Sequence, residues 1–358
     1  MTDSDIVRYR LANQQISQPM FTKPAELVAW LGAVQGQDFL AAKWALGLRL
    51  PTTTETAIDQ AIADRSVVRT WAMRGTLHLI AADDVHWILN LLRPRLHILS
   101  ASYLRRLELD EKKLTKSYDA MTNALLGGKQ LIRQELNVAL AQAGIPTHDI
   151  RMNLLLVRAA SHGLICCGVR RGSENTYTLL DEWIAPTKLR ERDDALAELT
   201  KRYFLSHGPA TLQDFIWWSG LTVAEAKVGI HSVKEQLIQE MYNKQTYWMA
   251  QRERFGYDTS LAVHLLPSFD EYLVGYKNRT AALGSLDFKQ IVSAGNGIFS
   301  PVIVVDGRVA GTWKRTVQKN TVLIETNLFN ALSATHQEGL DLAREGYARF
   351  KGLAVYGR

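Results

Sequence analysis

The sequence predicts an α+β fold: three tandem winged-helix units, then a β-rich C-terminal region with a closing helix. Two observations carry this expectation. A pattern of helices followed by a β-hairpin recurs three times along the 358 residues. In the third copy, helix-capping pairs of the Ser/Thr-x-x-Asp/Glu kind stand at Thr211 with Asp214 and at Thr222 with Glu225, where side chains satisfy the orphan N–H groups of two successive helices. The units are expected at 1–108, 109–185 and 186–262, and the β-rich region at 263–358.

The first copy runs through helical segments Lys23–Val34, Asp38–Leu50 and Glu55–Asp64. Its hairpin strands, Val67–Trp71 and Thr76–Ile80, are rich in β-branched and aromatic residues around a turn at Arg74-Gly75. A basic helical stretch, Arg93–Lys113, leads to the second copy, where Leu131, Leu136, Val138 and Leu140 predict one helical face ending at Gly144. A helix over His148–Gly163 follows, then two strands around the polar tip Arg170–Asn175. A charged helix, Lys188–Gly208, opens the third copy, and Gly220 separates its two capped helices as in a helix-turn-helix. Beyond His264 the chain turns to strands with an Asp306-Gly307 hairpin turn, and Leu332–Gly352 closes as a helix.

Composition narrows the function classes. At 47 % hydrophobic and 22 % charged residues, the chain matches neither a disordered nor a membrane protein. No apolar run reaches the ~20 residues needed to cross a bilayer. The polar, acidic N-terminus is unlike a signal peptide, so a cytoplasmic protein with no membrane partner is expected. The two cysteines, Cys166 and Cys167, are sequence neighbours; in a strand they point to opposite faces and read as buried apolar fillers. The nine histidines form no zinc-type spacing, so neither metal nor other cofactor is expected. Lys and Arg exceed Asp and Glu by 42 to 36, a modest basic excess compatible with nucleic acid.

The candidate chemistry lies in Gln35-Gly36-Gln37, ahead of a helix that Asp38 would cap; taken alone, the two glutamines are equally an ordinary polar loop before a helix. Hydrolysis of an ordinary glycoside needs one carboxylic acid and one carboxylate. An N7- or N3-alkylated purine is already cationic, so its departure needs no acid. An enzyme has only to place water at the anomeric carbon and dipoles beside the developing oxocarbenium ion. Two amides suffice for that, and Gly36 lets the backbone bend close to a ligand.

Several segments in order resemble the bacterial winged-helix DNA glycosylases of the AlkZ/YcaQ type. They are "VQGQD" at Val34–Asp38, "TWAMRGTLHLI" at Thr70–Ile80, "RQELNVAL" at Arg133–Leu140, "LLPSFDEYLVGYKNR" at Leu265–Arg279 and "VDGRVAGTWKR" at Val305–Arg315. The resemblance implies tandem winged helices forming a concave DNA-binding surface. It also implies a catalytic Gln-x-Gln motif, here Gln35 and Gln37, which sets the chain in the AlkZ-like branch; the other branch carries Gln-x-Asp. Gln37 would position the water, and Gln35 would orient water or steady the positive sugar.

The expected function is that of a monofunctional DNA glycosylase, acting as a monomer on double-stranded DNA. It would excise N7-alkylguanine or N3-alkyladenine, extending to bulky adducts or interstrand crosslinks. Phosphate contacts favour basic side chains on projecting elements. Arg69 and Arg74 on the first hairpin, Arg170 and Arg171 at the wing tip, and Lys314 and Arg315 are the candidates, each alternatively a solvated charge. His78 reads as a hydrogen-bonded core histidine. The pairs Trp217-Trp218 and Tyr247-Trp248 read as core filling rather than base-stacking surfaces. Lys43, one turn into the helix, reads as a solvated or phosphate-facing charge and not as a nucleophile. Two rivals lack catalysis: a winged-helix transcriptional regulator, and a scaffold or RNA-binding module.

Overall fold

The computed structural model describes residues 1–251, 263–292 and 297–356; the end of the third expected unit, 252–262, lies outside them. Helix α1 (Asp3–Asn13) opens the chain. The first repeat then comprises α2 (Pro24–Leu31), β1 (Val34–Gln35), α3 (Phe39–Arg49), α4 (Glu55–Ala63), β2 (Val67–Ala72) and β3 (Thr76–Ala81). Helix α5 (Ala82–Arg106) follows β3 without a loop. The second repeat has the same order: α6 (Glu111–Leu125), β4 (Leu131–Ile132), α7 (Arg133–Gln142), α8 (Arg151–Ser161), β5 (Ile165–Cys167) and β6 (Thr176–Leu179). After the short α9 (Leu180–Trp183), the third repeats it again as α10 (Arg192–His207), β7 (Ala210–Thr211), α11 (Leu212–Ser219), α12 (Val223–Val233), β8 (Leu237–Tyr242) and β9 (Gln245–Ala250).

The recurring unit is therefore helix, short strand, helix, helix, hairpin, one strand richer than the sequence pattern suggests. In each repeat the short strand lies antiparallel to the second hairpin strand: β1 on β3, β4 on β6, β7 on β9. A two-residue strand is too short to leave a period of two. Leu131 consequently belongs to β4 rather than to the helical face expected for it, and Val138, on α7, is exposed. The end of α7 that faces β4 is tied by Ile132 N–H donating to Glu135 Oε2 at 2.8 Å. In the third repeat both capping boxes form, and Gly220 at φ +75° ends α11 in the left-handed region where a side chain would be strained.

The first two hairpins meet back to back. Arg69 on β2 pairs with Cys167 on β5, making one six-stranded sheet in the order β1-β3-β2-β5-β6-β4. Cys166 and Cys167 are buried and unbonded and fall into different cores, as strand neighbours pointing to opposite faces must.

The C-terminal region contains β10 (Val263–Leu266), α13 (Glu271–Val274), α14 (Thr280–Leu283), β11 (Val302–Val305), β12 (Arg308–Val317), β13 (Thr321–Leu328), α15 (Ala334–Lys351) and β14 (Ala354–Val355). Strands β10 to β14 form a five-stranded sheet in sequence order. Its apolar residues Leu265, Ile303, Trp313 and Val322 share a core with Leu27, Trp44 and Leu46 of the first repeat and Tyr347 of α15. Helix α1 bridges elsewhere: Asn13 Nδ2 donates to Gly208 O at 2.7 Å and Arg10 Nε to Pro209 O at 3.0 Å. These contacts press the C-terminal region and the third repeat against the first, where the glutamine pair lies. Among the described residues no helix is long and apolar enough to cross a membrane.

Candidate functional site

The glutamine pair straddles the end of β1. Gln35 pairs with His78 across the β1–β3 ladder, and Gly36 N–H donates to Leu77 O at 2.8 Å. A Cβ on Gly36 would stand 3.3 Å from the backbone carbon of His78, so glycine permits this close approach of two backbones. Past the turn, Asp38 caps α3, its Oδ1 accepting from Ala41 N–H at 3.0 Å.

The two side chains take different positions. Gln35 is 7 % exposed. Its amide donates to Thr76 Oγ1 at 3.3 Å, and its Oε1 accepts from Gln37 N–H at 3.0 Å. Gln37 is exposed, with Oε1 accepting from Leu77 N–H at 3.2 Å. One amide is thus packed beneath the turn, and the other stands at the surface with its carbonyl aimed by a backbone donor. Each carbonyl keeps a second lone pair for water.

Charged groups grip the turn from two sides. Arg69, 4 % exposed, donates from Nε to Gly36 O at 2.9 Å, from Nη2 to Gln37 O at 3.4 Å and from Nη1 to Asn175 Oδ1 at 2.7 Å. All three acceptors are neutral, and burial pulls the guanidinium below its ordinary pKa. From the opposite side Gln35 N–H donates to Glu271 Oε1 at 2.7 Å. Glu271, the first residue of α13, is 1 % exposed. Its Oε2 accepts from Trp218 Nε1–H at 3.0 Å and lies 3.5 Å from His207 Nε2. Burial works to raise this carboxyl, but the His207 ring and the Gln35 N–H outweigh it and hold it below the usual range. His78 behaves as a core histidine: it is 1 % exposed, its Nδ1 lies 2.8 Å from Thr76 O, and burial pushes its pKa down to about 4.

The other candidates divide by position. Arg170 lies beside the motif, its guanidinium 5.0 Å from the Phe39 ring centre; Arg69 and Lys43 each stand 5.1 Å from the same ring. Arg171 at the tip is exposed and paired with Glu135 at 2.8 Å. Arg74 donates to the carbonyls of Trp217 and Trp218 at the end of α11. Lys314 and Arg315 stand on β12, Lys314 paired with Glu325 on β13 at 3.0 Å and Arg315 5.8 Å from the Tyr347 ring.

Two expectations are corrected. Lys43 is neither solvated nor phosphate-facing: it is 5 % exposed and paired with Glu55 and Asp59, each at 3.0 Å. Trp218 fills the core at 1 % exposure, but Trp217 is 40 % exposed, with Arg74 and Arg279 each 5.5 Å from its ring centre. Its indole N–H donates to Val274 O at 3.1 Å, which turns the ring outward from α11.

Sequence reasoning singled out neither Glu271 nor His207. Glu271 stands in the quoted segment Leu265–Arg279, but its approach to Gln35 spans 236 positions. Among the described residues no cluster of three His, Cys, Asp or Glu could hold a metal ion.

Comparison with known proteins places the chain in a family. The profile of the family described as DNA glycosylase AlkZ-like matches residues 28–350. An interstrand DNA cross-link repair glycosylase of Streptomyces sahachiroi is 26 % identical over 330 residues, 88 % of this chain and 89 % of that protein. The solved structure of the Streptomyces sahachiroi DNA glycosylase AlkZ superposes with a TM-score of 0.82 at 23 % identity, covering 99 % of each chain.

Proposed function

The chain belongs to the AlkZ-like DNA glycosylase family, and from that premise we propose that it excises cationic alkylated purines from double-stranded DNA, using water positioned by Gln37. The substrates of this reading are N7-alkylguanine and N3-alkyladenine, extending to the interstrand crosslinks that the name of the Streptomyces relative specifies. The enzyme works as a monomer in the cytoplasm, and its three repeats act as winged helices that hold the duplex.

The observation that carries the reading is the division of labour in the motif. Gln37 presents an exposed amide with a fixed carbonyl, and Gln35 lies under it, bonded to the Gln37 backbone. Asp38 is engaged in capping and Glu271 faces the motif from the buried side. Neither is posed as an acid for a leaving base, which suits a base that already carries positive charge. A non-catalytic regulator does not require such an arrangement, and the family match disfavours it.

Lys43 supports the use of water. A Schiff-base nucleophile must be free to reach the anomeric carbon, whereas the Lys43 amine is buried and tied to Glu55 and Asp59, each at 3.0 Å.

The test is a duplex with one 7-methylguanine. Free base is expected, with the strand breaking only after alkaline treatment. No released base would overturn the reading, and breakage without alkali would overturn the water mechanism. A matched duplex with uracil should react far more slowly, since among the described residues neither Asp38 nor Glu271 is posed as an acid for a neutral leaving group; comparable uracil release would refute the cationic-base mechanism. Replacing Arg170 and Arg171 together by alanine should weaken binding to every duplex sequence and flatten the salt dependence of log K by about one to two, roughly one per lost phosphate contact. An unchanged slope would remove the tip from the DNA interface.

A further inference from the structure

The turn that carries the two glutamines is set among cations. Arg69 holds the Gly36 and Gln37 carbonyls. Arg74 lies two residues from Thr76, the partner of the Gln35 amide. Arg170 shares the Phe39 ring with Arg69. Hydrogen bonds of Arg69 and Arg74 go to neutral acceptors. Such a field favours phosphate, but it opposes a reaction that builds positive charge on a sugar. Two neutral amides offset it only through their dipoles, and the neighbouring Asp38 carboxylate is engaged in capping α3.

One anion is bonded directly to the motif's backbone. Glu271 accepts Gln35 N–H at 2.7 Å, and its second oxygen is held by Trp218 at 3.0 Å. At 1 % exposure water screens its charge little, so its field reaches further into the site than that of a surface carboxylate. Burying a carboxylate is costly, and its two oxygens each meet one donor here, Gln35 N–H and Trp218 Nε1–H, so it brings both acceptors and a negative charge to the motif.

We propose that Glu271 is a positioning residue whose negative charge, lying behind Gln35, offsets the surrounding arginines and lets the glutamine pair stabilise a cationic sugar. It touches neither DNA nor water; it acts through the turn it holds. This role rests on the glycosylase reading above.

The experiment separates charge from hydrogen bonding. Glu271→Gln keeps the size of the side chain and an acceptor for Gln35 N–H, but its amide nitrogen stands where Oε2 accepts Trp218 Nε1–H, so the charge and that one bond are lost together; Trp218→Phe loses the bond alone and serves as the control. Glu271→Asp keeps the charge and draws it back by one methylene. Single-turnover release of 7-methylguanine is measured with enzyme in excess, together with the Kd for the same duplex and the Tm of each variant. Glu271→Gln is expected to slow release by at least about tenfold and Trp218→Phe by much less, with Kd within roughly threefold of wild type in both. Glu271→Asp is expected to release base faster than Glu271→Gln, despite its poorer bond to Gln35 N–H. The opposite order, or full activity in Glu271→Gln, would overturn the proposal. An inactive wild type would overturn the glycosylase reading instead, so the two failures are distinguishable.

Discussion

Gln37→Ala is expected to lower single-turnover excision of 7-methylguanine by at least about tenfold while duplex affinity stays within a few-fold, and Gln35→Ala/Gln37→Ala to lose more. Tenfold corresponds to ~1.4 kcal/mol of transition-state stabilisation, a modest demand on one aimed dipole in a partly desolvated site. The loss should fall on the chemical step, because Gln37 Oε1 is held by Leu77 N–H toward the exposed side of the turn and, among the described residues, is bonded to no cation. Truncation leaves the buried framework intact: Gln35 still bonds Thr76 and the Gln37 backbone. Wild-type excision in the double variant would remove the site proposed here. A drop in affinity equal to the drop in rate would make Gln37 a binding residue instead.

The second expected result is a loss of stability. Asp270, 2 % exposed, accepts two bonds from Arg49, 1 % exposed, each at 2.8 Å. The same guanidinium donates to Gln14 O at 2.8 Å, to Gln14 Oε1 at 3.0 Å and to Ala45 O at 2.8 Å. This one arginine therefore joins the segment after α1, the helix that follows the glutamine motif, and the residue that caps α13. Asp270→Ala removes the only anion bonded to Arg49 among the described residues and leaves a buried charge unpaired, which costs about 3–5 kcal/mol. Urea unfolding should show the midpoint falling with little change in slope. Excision should fall in parallel, because Asp270 also accepts Tyr272 N–H at 2.9 Å and so fixes the start of the helix carrying Glu271. Arg49→Met/Asp270→Leu should cost less than Asp270→Ala alone. A single-variant loss below about 1 kcal/mol would show that the pair is effectively solvated.

What could be read from the sequence was local. The hairpin at Val67–Ile80 and the two capped helices near Gly220 follow from patterns a few residues long, where side-chain period and capping chemistry act on the nearest backbone. The capping role of Asp38 was visible for the same reason, whereas Gln35 and Gln37 stood out through the resemblance of several segments in order to a known family. The three short strands escaped because two residues cannot express a period, although they are what seats each repeat on its hairpin.

Tertiary packing decided the environment of those residues. No local pattern distinguishes Trp217 from Trp218, yet one faces solvent between two arginines and the other donates to a buried carboxylate. Nothing around Arg69 in sequence says that it turns inward to grip the Gly36 and Gln37 carbonyls, or that Lys43 is held by Glu55 and Asp59. Glu271 reaches Gln35 only because the C-terminal region folds back onto the first repeat. Backbone propensity and capping act over a few residues of chain, so the sequence determines the elements and the candidate chemistry. Burial, charge pairing and the direction of a side chain depend on neighbours hundreds of residues away, and only the assembled fold supplies them.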